Sequence, residues 1–313
     1  MMKKPNYLPN LNALRFFAAT LVLLFHVDKA LFNNHYKAYE YEFFPFNFGD
    51  NAVVLFFVLS GFLITHLLLK EKEAHGSIKV KRFYLKRIFR IWPLYYIVVV
   101  ASFAFFNHHP FFLDNTITNR INFNHPVLYS FLLLLIAPNV LLLKVRSLGY
   151  ASPTWSIGIE EQFYLLWPWL MRSKHYLIYI LSIILAMFLL NAGLLQLISD
   201  WLVNIHAISK GSSISKLLYY GNKFFTFWAS FRIDAMAIGA LGAYLVTRKS
   251  SLLVQSIFSK KFQLVLYAVA IFLLAFKNVT GYQFYSIVCM LIIINLSCNE
   301  KSILSFNLSL IHI

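Results

Sequence analysis

An arginine and a histidine lie inside the first apolar stretch of this chain. The stretch runs from Leu11 to Leu31, with Arg15 and His26 eleven residues apart. At about 100° and 1.5 Å per residue, a helix brings both side chains to nearly the same face, roughly 16 Å apart along its axis. Ionisable groups are costly in hydrocarbon and face a bundle interior or a wet cavity. One helix face would then carry a cation near one membrane surface and a proton-transfer group near the other. An imidazole titrates near neutrality, so His26 suits general-base work, with Asp28 close in sequence. A histidine that merely bonds a neighbouring helix has the same signature, and both readings stand.

Three further constellations could carry chemistry. Arg87-x-x-Arg90 lies in KVKRFYLKRIFRIWPLYY. Residues three apart share a helical face, so two guanidiniums at a membrane mouth could clamp phosphates bidentately. Arg15 could join them. The alternative is a headgroup anchor, given Lys79, Lys81, Arg82 and Lys86 nearby. Glu160 and Glu161 follow Trp155-Ser156 in PTWSIGIEEQFYLLWP. Carboxylates five to six residues inside a membrane helix are expensive. One could orient a histidine, as the third member of a triad does. The other reading is a structural ion pair with Arg232, beside Asp234 in FRIDAMAIGALGAYL. Ser60-Gly61 either allows close helix approach or leaves room for a narrow substrate arm. His66, Trp92 and the loop histidines His35, His108, His109, His125 and His206 are read as structural or solvated.

These residues need a bilayer-spanning scaffold, and the composition supplies one. The chain has 313 residues, 59% hydrophobic and only 13% charged, with a mean hydropathy of +0.65. Repeated apolar stretches of about 20 residues predict an all-α polytopic bundle. Eight crossings are expected, at roughly 11–31, 51–69, 88–106, 154–171, 176–198, 224–247, 262–276 and 281–297. Lys3 and Lys4 before an apolar run look like a signal peptide. The run is too long, contains Arg15, and leads to His26-Val27-Asp28 rather than a cleavage site, so it is read as a retained helix.

A cytoplasmic N-terminus places the basic segment 70–90, Arg172/Lys174, Arg248/Lys249, Lys260/Lys261 and Lys301 inside. The positive-inside bias supports that orientation. On this topology Arg87 and Arg90 sit at the cytoplasmic mouth, while His26, Glu160 and Glu161 lie in the outer half. The apolar stretch 127–143 is interrupted by Pro138-Asn139. It is read as a re-entrant or interfacial helix on the outer side.

The net charge of +16 lies between apolar spans, so it sets topology rather than marking a nucleic-acid partner. Cys289 and Cys298 would point to opposite faces of one helix, giving no disulfide framework and no metal spacing. Residues 1–313 are read as one membrane domain. After the eighth crossing only SILSFNLSLIHI remains, too short to span. The expectation is an interfacial tail, or a chain lacking its closing helix.

Taken together, these pieces resemble the acyltransferase-3 family of integral membrane acyltransferases. The matching pieces are Arg15-(ten residues)-His26, FFVLSGFLIT, Arg87-x-x-Arg90 with IWPLYY, PTWSIGIEEQFYLLWP and FRIDAMAIGALGAYL, in family order. The resemblance implies transfer of an acyl group, usually acetyl, from cytoplasmic acyl-CoA to a hydroxyl of an extracytoplasmic glycan. It implies a multi-pass protein of a bacterial inner membrane and no metal. His26 matches the family's essential histidine, and Arg15, Arg87 and Arg90 its important arginines. Ser60 and Gly61 would flank the donor arm. Trp155, Arg232 and Asp234 would be structural or substrate-binding. The competing class is a glycan or ion transporter using the same buried charges as a relay.

Overall fold

A computed structural model describes residues 8, 10–33, 48–106, 125–142, 145, 147–193, 231–247, 256–275, 281–299 and 302–303, with isolated positions between 197 and 221. The described residues are helical throughout, with no strand among them. The helices are α1 (Leu11–Asn33), α2 (Gly49–His75), α3 (Val80–Ala101), α4 (Pro126–Leu134), α5 (Pro138–Leu141), α6 (Trp155–Arg172), α7 (Tyr176–Asn191), α8 (Ile233–Thr247), α9 (Lys260–Ala275) and α10 (Tyr282–Cys298). Three segments are long and apolar enough to cross a membrane: Leu11–Lys29, Gly49–His75 and Val80–Phe106. Six of the expected crossings fall on described helices. The stretches 176–198 and 224–247 do so in part, because 194–196 and 222–230 lie outside the described residues, as do His35, His108, His109, His206 and the stretch after Ile303.

Contacts divide the chain into two compact units. One comprises Met1–Thr20, Asp50–Lys70 and His175–Ile313, and the other Leu21–Gly49 and Glu71–Lys174.

The first unit is organised by α8, whose sequence is rich in alanine and glycine. Ala235, Ala237, Gly239, Ala240, Gly242 and Ala243 are all buried. Small residues let helix backbones approach closely where lipid offers no hydrophobic drive. A Cβ at Gly61 of α2 would collide with the carbonyl of Met236, and one at Gly239 with the carbonyl of Val58. Gly61 thus admits the close approach of α2 and α8. A Cβ at Gly242 would lie 2.6 Å from Cγ of Met290 on α10. Asp50 meets Arg232 at the starts of α2 and α8, and His66 meets Thr247 near their ends. These two helices therefore run in the same direction. α9 and α10 form an antiparallel hairpin around Leu266, Leu273 and Val288. The hairpin is closed by Gln263, whose side chain donates to Phe258 O and accepts from the Ile303 N–H.

The second unit is built on an antiparallel pair, α3 and α6. Tyr84 donates to the Leu165 carbonyl and accepts from the Trp169 indole at one end. Trp92 reaches Glu161 further along. Lys72, in the last turn of α2, donates to the carbonyls of Met171, Arg172 and Ser173 at 3.0, 3.1 and 2.8 Å. One ammonium thereby satisfies three acceptors that the end of α6 leaves without helical partners.

The interrupted segment is two short helices, α4 and α5, separated by a left-handed Ile136 with φ 53°. Pro138 opens α5, where its missing N–H costs nothing. The freed carbonyls of Leu133 and Leu134 accept from Tyr95 and Tyr96 of α3, at 3.0 and 2.7 Å. Irregular backbone at membrane depth is tolerated when protein satisfies it in this way.

Candidate active site

His26 and Arg15 lie on one uninterrupted helix, as their spacing requires. His26 is half-buried, edge-on to Phe25 with ring centroids 5.3 Å apart. Asp28, one of the few fully buried carboxylates, follows two residues later. Phe25 in turn packs where a side chain on Gly49 would stand. Arg15 is half-buried, and its Nη1 donates to Asn12 at 3.4 Å.

The second unit concentrates polar groups on the facing sides of α3 and α6. Tyr164 donates to Glu160 Oε2 at 2.8 Å. The Trp92 indole donates to Glu161 Oε2 at 3.1 Å. The Arg87 guanidinium lies over two rings, 5.6 Å from Phe83 and 5.5 Å from Tyr164. Both glutamates act on it electrostatically. Two atoms here are buried and have no hydrogen-bond partner among the described residues: Arg87 Nε and Glu161 Oε1. Such groups are rare because each forfeits its hydration without replacement. Arg90, by contrast, is exposed.

The sequence expectation sets Arg87 at the cytoplasmic mouth and the glutamates in the outer half. In the α3–α6 pair Arg87 lies against Tyr164, one turn along α6 from Glu161, which meets Trp92. The offset of two packed helices is set by which side chains interdigitate, not by counting from the ends of apolar runs. Trp92, read from the sequence as structural, holds one oxygen of Glu161 through its indole N–H. A buried indole N–H requires an acceptor, and that requirement was the available clue.

Gln162 and Asn139 exchange two hydrogen bonds, each 3.1 Å. A Cβ at Gly158 would strike Asn139 Oδ1. The glycine therefore admits the broken segment against α6, and the Asn–Gln pair fixes it there. Trp155, the first residue of α6, and the neighbouring Ser156 are both half-buried.

In the first unit, Arg232 has the left-handed φ of 53°. Its guanidinium lies 4.0 Å from the centre of the Tyr282 ring. It donates to the Asp50 carbonyl at 3.3 Å and lies 4.0 Å from the Asp50 carboxylate. Asp50 is the acidic partner that the structure gives Arg232. Neither Asp50 nor Tyr282 is marked by any motif. Asp234 is buried and accepts from the Ala235 N–H. His66 is buried, stacked on Phe62, with Nδ1 3.5 Å from Thr247 Oγ1. Ser60 lies half-buried at the α2–α8 crossing. Among the described residues no three His, Cys, Asp or Glu side chains gather as a metal site needs.

An acyltransferase domain matches residues 8–308, nearly the whole chain and both units. The chain belongs to the acyltransferase-3 family. Its relatives include two proteins named OatA. Peptidoglycan O-acetyltransferase OatA of Listeria monocytogenes is 34% identical over 168 residues, covering 52% of this chain and 24% of the relative. O-acetyltransferase OatA of Staphylococcus aureus is 30% identical over 169 residues, covering 53% and 25%. The matched region spans about a quarter of the length of these relatives. No solved structure matches the chain. Membership gives one family context to the paired Arg15 and His26, the Arg87-x-x-Arg90 helix and the Trp155–Glu161 helix.

Proposed function

We propose that this chain is a multi-pass membrane O-acyltransferase that moves an acetyl group from cytoplasmic acetyl-CoA to a hydroxyl of an extracytoplasmic glycan. One observation carries the proposal. In a member of an acyltransferase family, a single continuous helix bears Arg15 and His26 eleven residues apart. That helix spans the distance between a donor on one side and an acceptor on the other. The names of the relatives favour acetyl as the group transferred and a cell-wall glycan as the acceptor.

The topology follows from the sequence and is supported by helix directions within each unit. Crossings two and six run the same way, and crossings three and four run oppositely, as alternating spans require; the side of the N-terminus is taken from the positive-inside bias. The exposed Arg90 and the half-buried Arg15 stand on the donor side. His26 stands toward the acceptor side.

Transfer breaks the donor's C–S bond and forms a C–O bond to the acceptor oxygen. His26 accepts the hydroxyl proton as that bond forms and returns it to the departing thiolate. Glu160 holds the imidazole orientation. Direct attack and a short-lived acyl-histidine use the same groups. Membership of an acyltransferase family favours covalent transfer over a transport relay.

The test is a sided reconstitution. Purified chain in liposomes receives acetyl-labelled CoA on the face that carries the N-terminus. The proposal requires ester-linked label on glycan held at the opposite face. Label that appears only when donor and acceptor share a face would overturn the vectorial reading.

A further inference from the structure

We propose that Arg87 and Glu161 together bind a secondary amide of the donor's pantetheine arm, whereas Arg90 takes its phosphates. This assignment rests on the acyl-CoA reading above and gives the two arginines of one motif different ligands.

The two arginines occupy different surroundings. Arg90 is exposed on α3, where a mobile polyanion can reach it. Arg87 is turned against α6, with its guanidinium over Phe83 and Tyr164. Its Nε is buried. A phosphate at that position would have to shed its hydration beside Glu160 and Glu161, whose charges repel it.

The orphaned atoms specify a different ligand. Arg87 Nε is a donor without an acceptor, and Glu161 Oε1 is an acceptor without a donor. Both lie between α3 and α6, about one turn apart along the pair: Arg87 against Tyr164, Glu161 against Trp92. The other oxygen of Glu161 is already held by Trp92, so Oε1 has a fixed direction. A group that completes both must accept one hydrogen bond and donate one. A secondary amide does so, its C=O accepting from Nε–H and its N–H donating to Oε1. A phosphate diester oxygen donates nothing, and a thioester donates nothing. The pantetheine arm is thin, neutral and carries secondary amides, which suits a buried slot between two helices. A glycan hydroxyl also donates and accepts, but the acceptor is expected on the far side.

Equilibrium binding to the purified full chain separates these roles. Three probes are used: CoA, free pantetheine, and the adenosine bisphosphate half of CoA. Arg87→Lys keeps the charge but removes Nε, and Glu161→Gln replaces the acceptor pair with an amide. Each is expected to weaken CoA and pantetheine binding by the same factor, about 10- to 100-fold, the usual cost of a lost hydrogen bond to a charged group. Binding of the adenosine bisphosphate should be unchanged, which also shows that the variants fold. Arg90→Ala should do the reverse, losing the bisphosphate and keeping pantetheine.

The assignment is overturned if Arg87→Lys weakens the bisphosphate, or if both variants bind pantetheine like wild type. Loss of all three probes together would also overturn it, since that is a folding effect. A changed KM for glycan with unchanged pantetheine affinity would transfer the pair to the acceptor and contradict the proposal. Failure of the wild-type chain to bind CoA at all is a separate result. It removes the donor reading itself.

Discussion

At the scale of the residue, the chemistry divides into a proton handler and a set of groups that hold substrates in place. His26→Ala is expected to lower turnover below about 1% of wild type, since a positioned base contributes about 10²–10⁴-fold. Membrane insertion and thermal melting should be unchanged. Trp92→Phe preserves an aromatic in the helix but frees the second oxygen of Glu161. Its expected effect is a several-fold rise in donor KM, because an unmade bond to a charged group costs about 1–3 kcal/mol. Steady-state kinetics read this directly: a fall in kcat at constant KM would place Trp92 nearer the chemistry instead. His26, Arg15 and the two glutamates were legible in the sequence because ionisable groups stand out against apolar runs. Trp92, Tyr164 and Asp50 were not. An indole or phenol among many aromatics gives no signal until its acceptor is known, and Asp50 sits at a helix start where an acidic residue is commonplace.

At the scale of the element, backbone contact and helix ends fix the site. The Gly61–Met236 and Val58–Gly239 contacts bring α2 and α8 together backbone to backbone. Gly61→Ala and Gly239→Ala each place a methyl group against a carbonyl that has no room to retreat. Each is expected to cost about 1–3 kcal/mol or more, and a melting curve in detergent should show it as a lowered midpoint and reduced folded yield. Wild-type melting in both variants would mean that the helices separate at no cost. Lys72→Met tests the other device. Its three carbonyl bonds at the end of α6 should be worth about 1.5–3 kcal/mol in all, again visible in the midpoint. Helix positions were readable from apolar periodicity, and so was the break at Pro138-Asn139. The offset between α3 and α6 was not, because the register of two packed helices depends on which side chains interlock, and no single strand of sequence carries that.

At the scale of the whole molecule, the account rests on an alternating topology with the N-terminus in the cytoplasm. Reporter fusions provide a direct check. A fusion in the turn at Gly76 is expected to read cytoplasmic, and one next to Phe48 extracytoplasmic. The reverse pattern would invert donor and acceptor faces. The expectation rests on the placement of charge, since basic clusters collect between alternate spans. The central claim is that the chain esterifies a glycan hydroxyl through His26. Mass spectrometry of surface glycans, from cells lacking the chain and re-expressing either wild type or His26→Ala, tests it most directly. The account predicts a base-labile acetyl ester with wild type that is missing with His26→Ala, although both proteins reach the membrane in equal amount. Identical glycans in the two strains, or an ester that persists with His26→Ala, would contradict it.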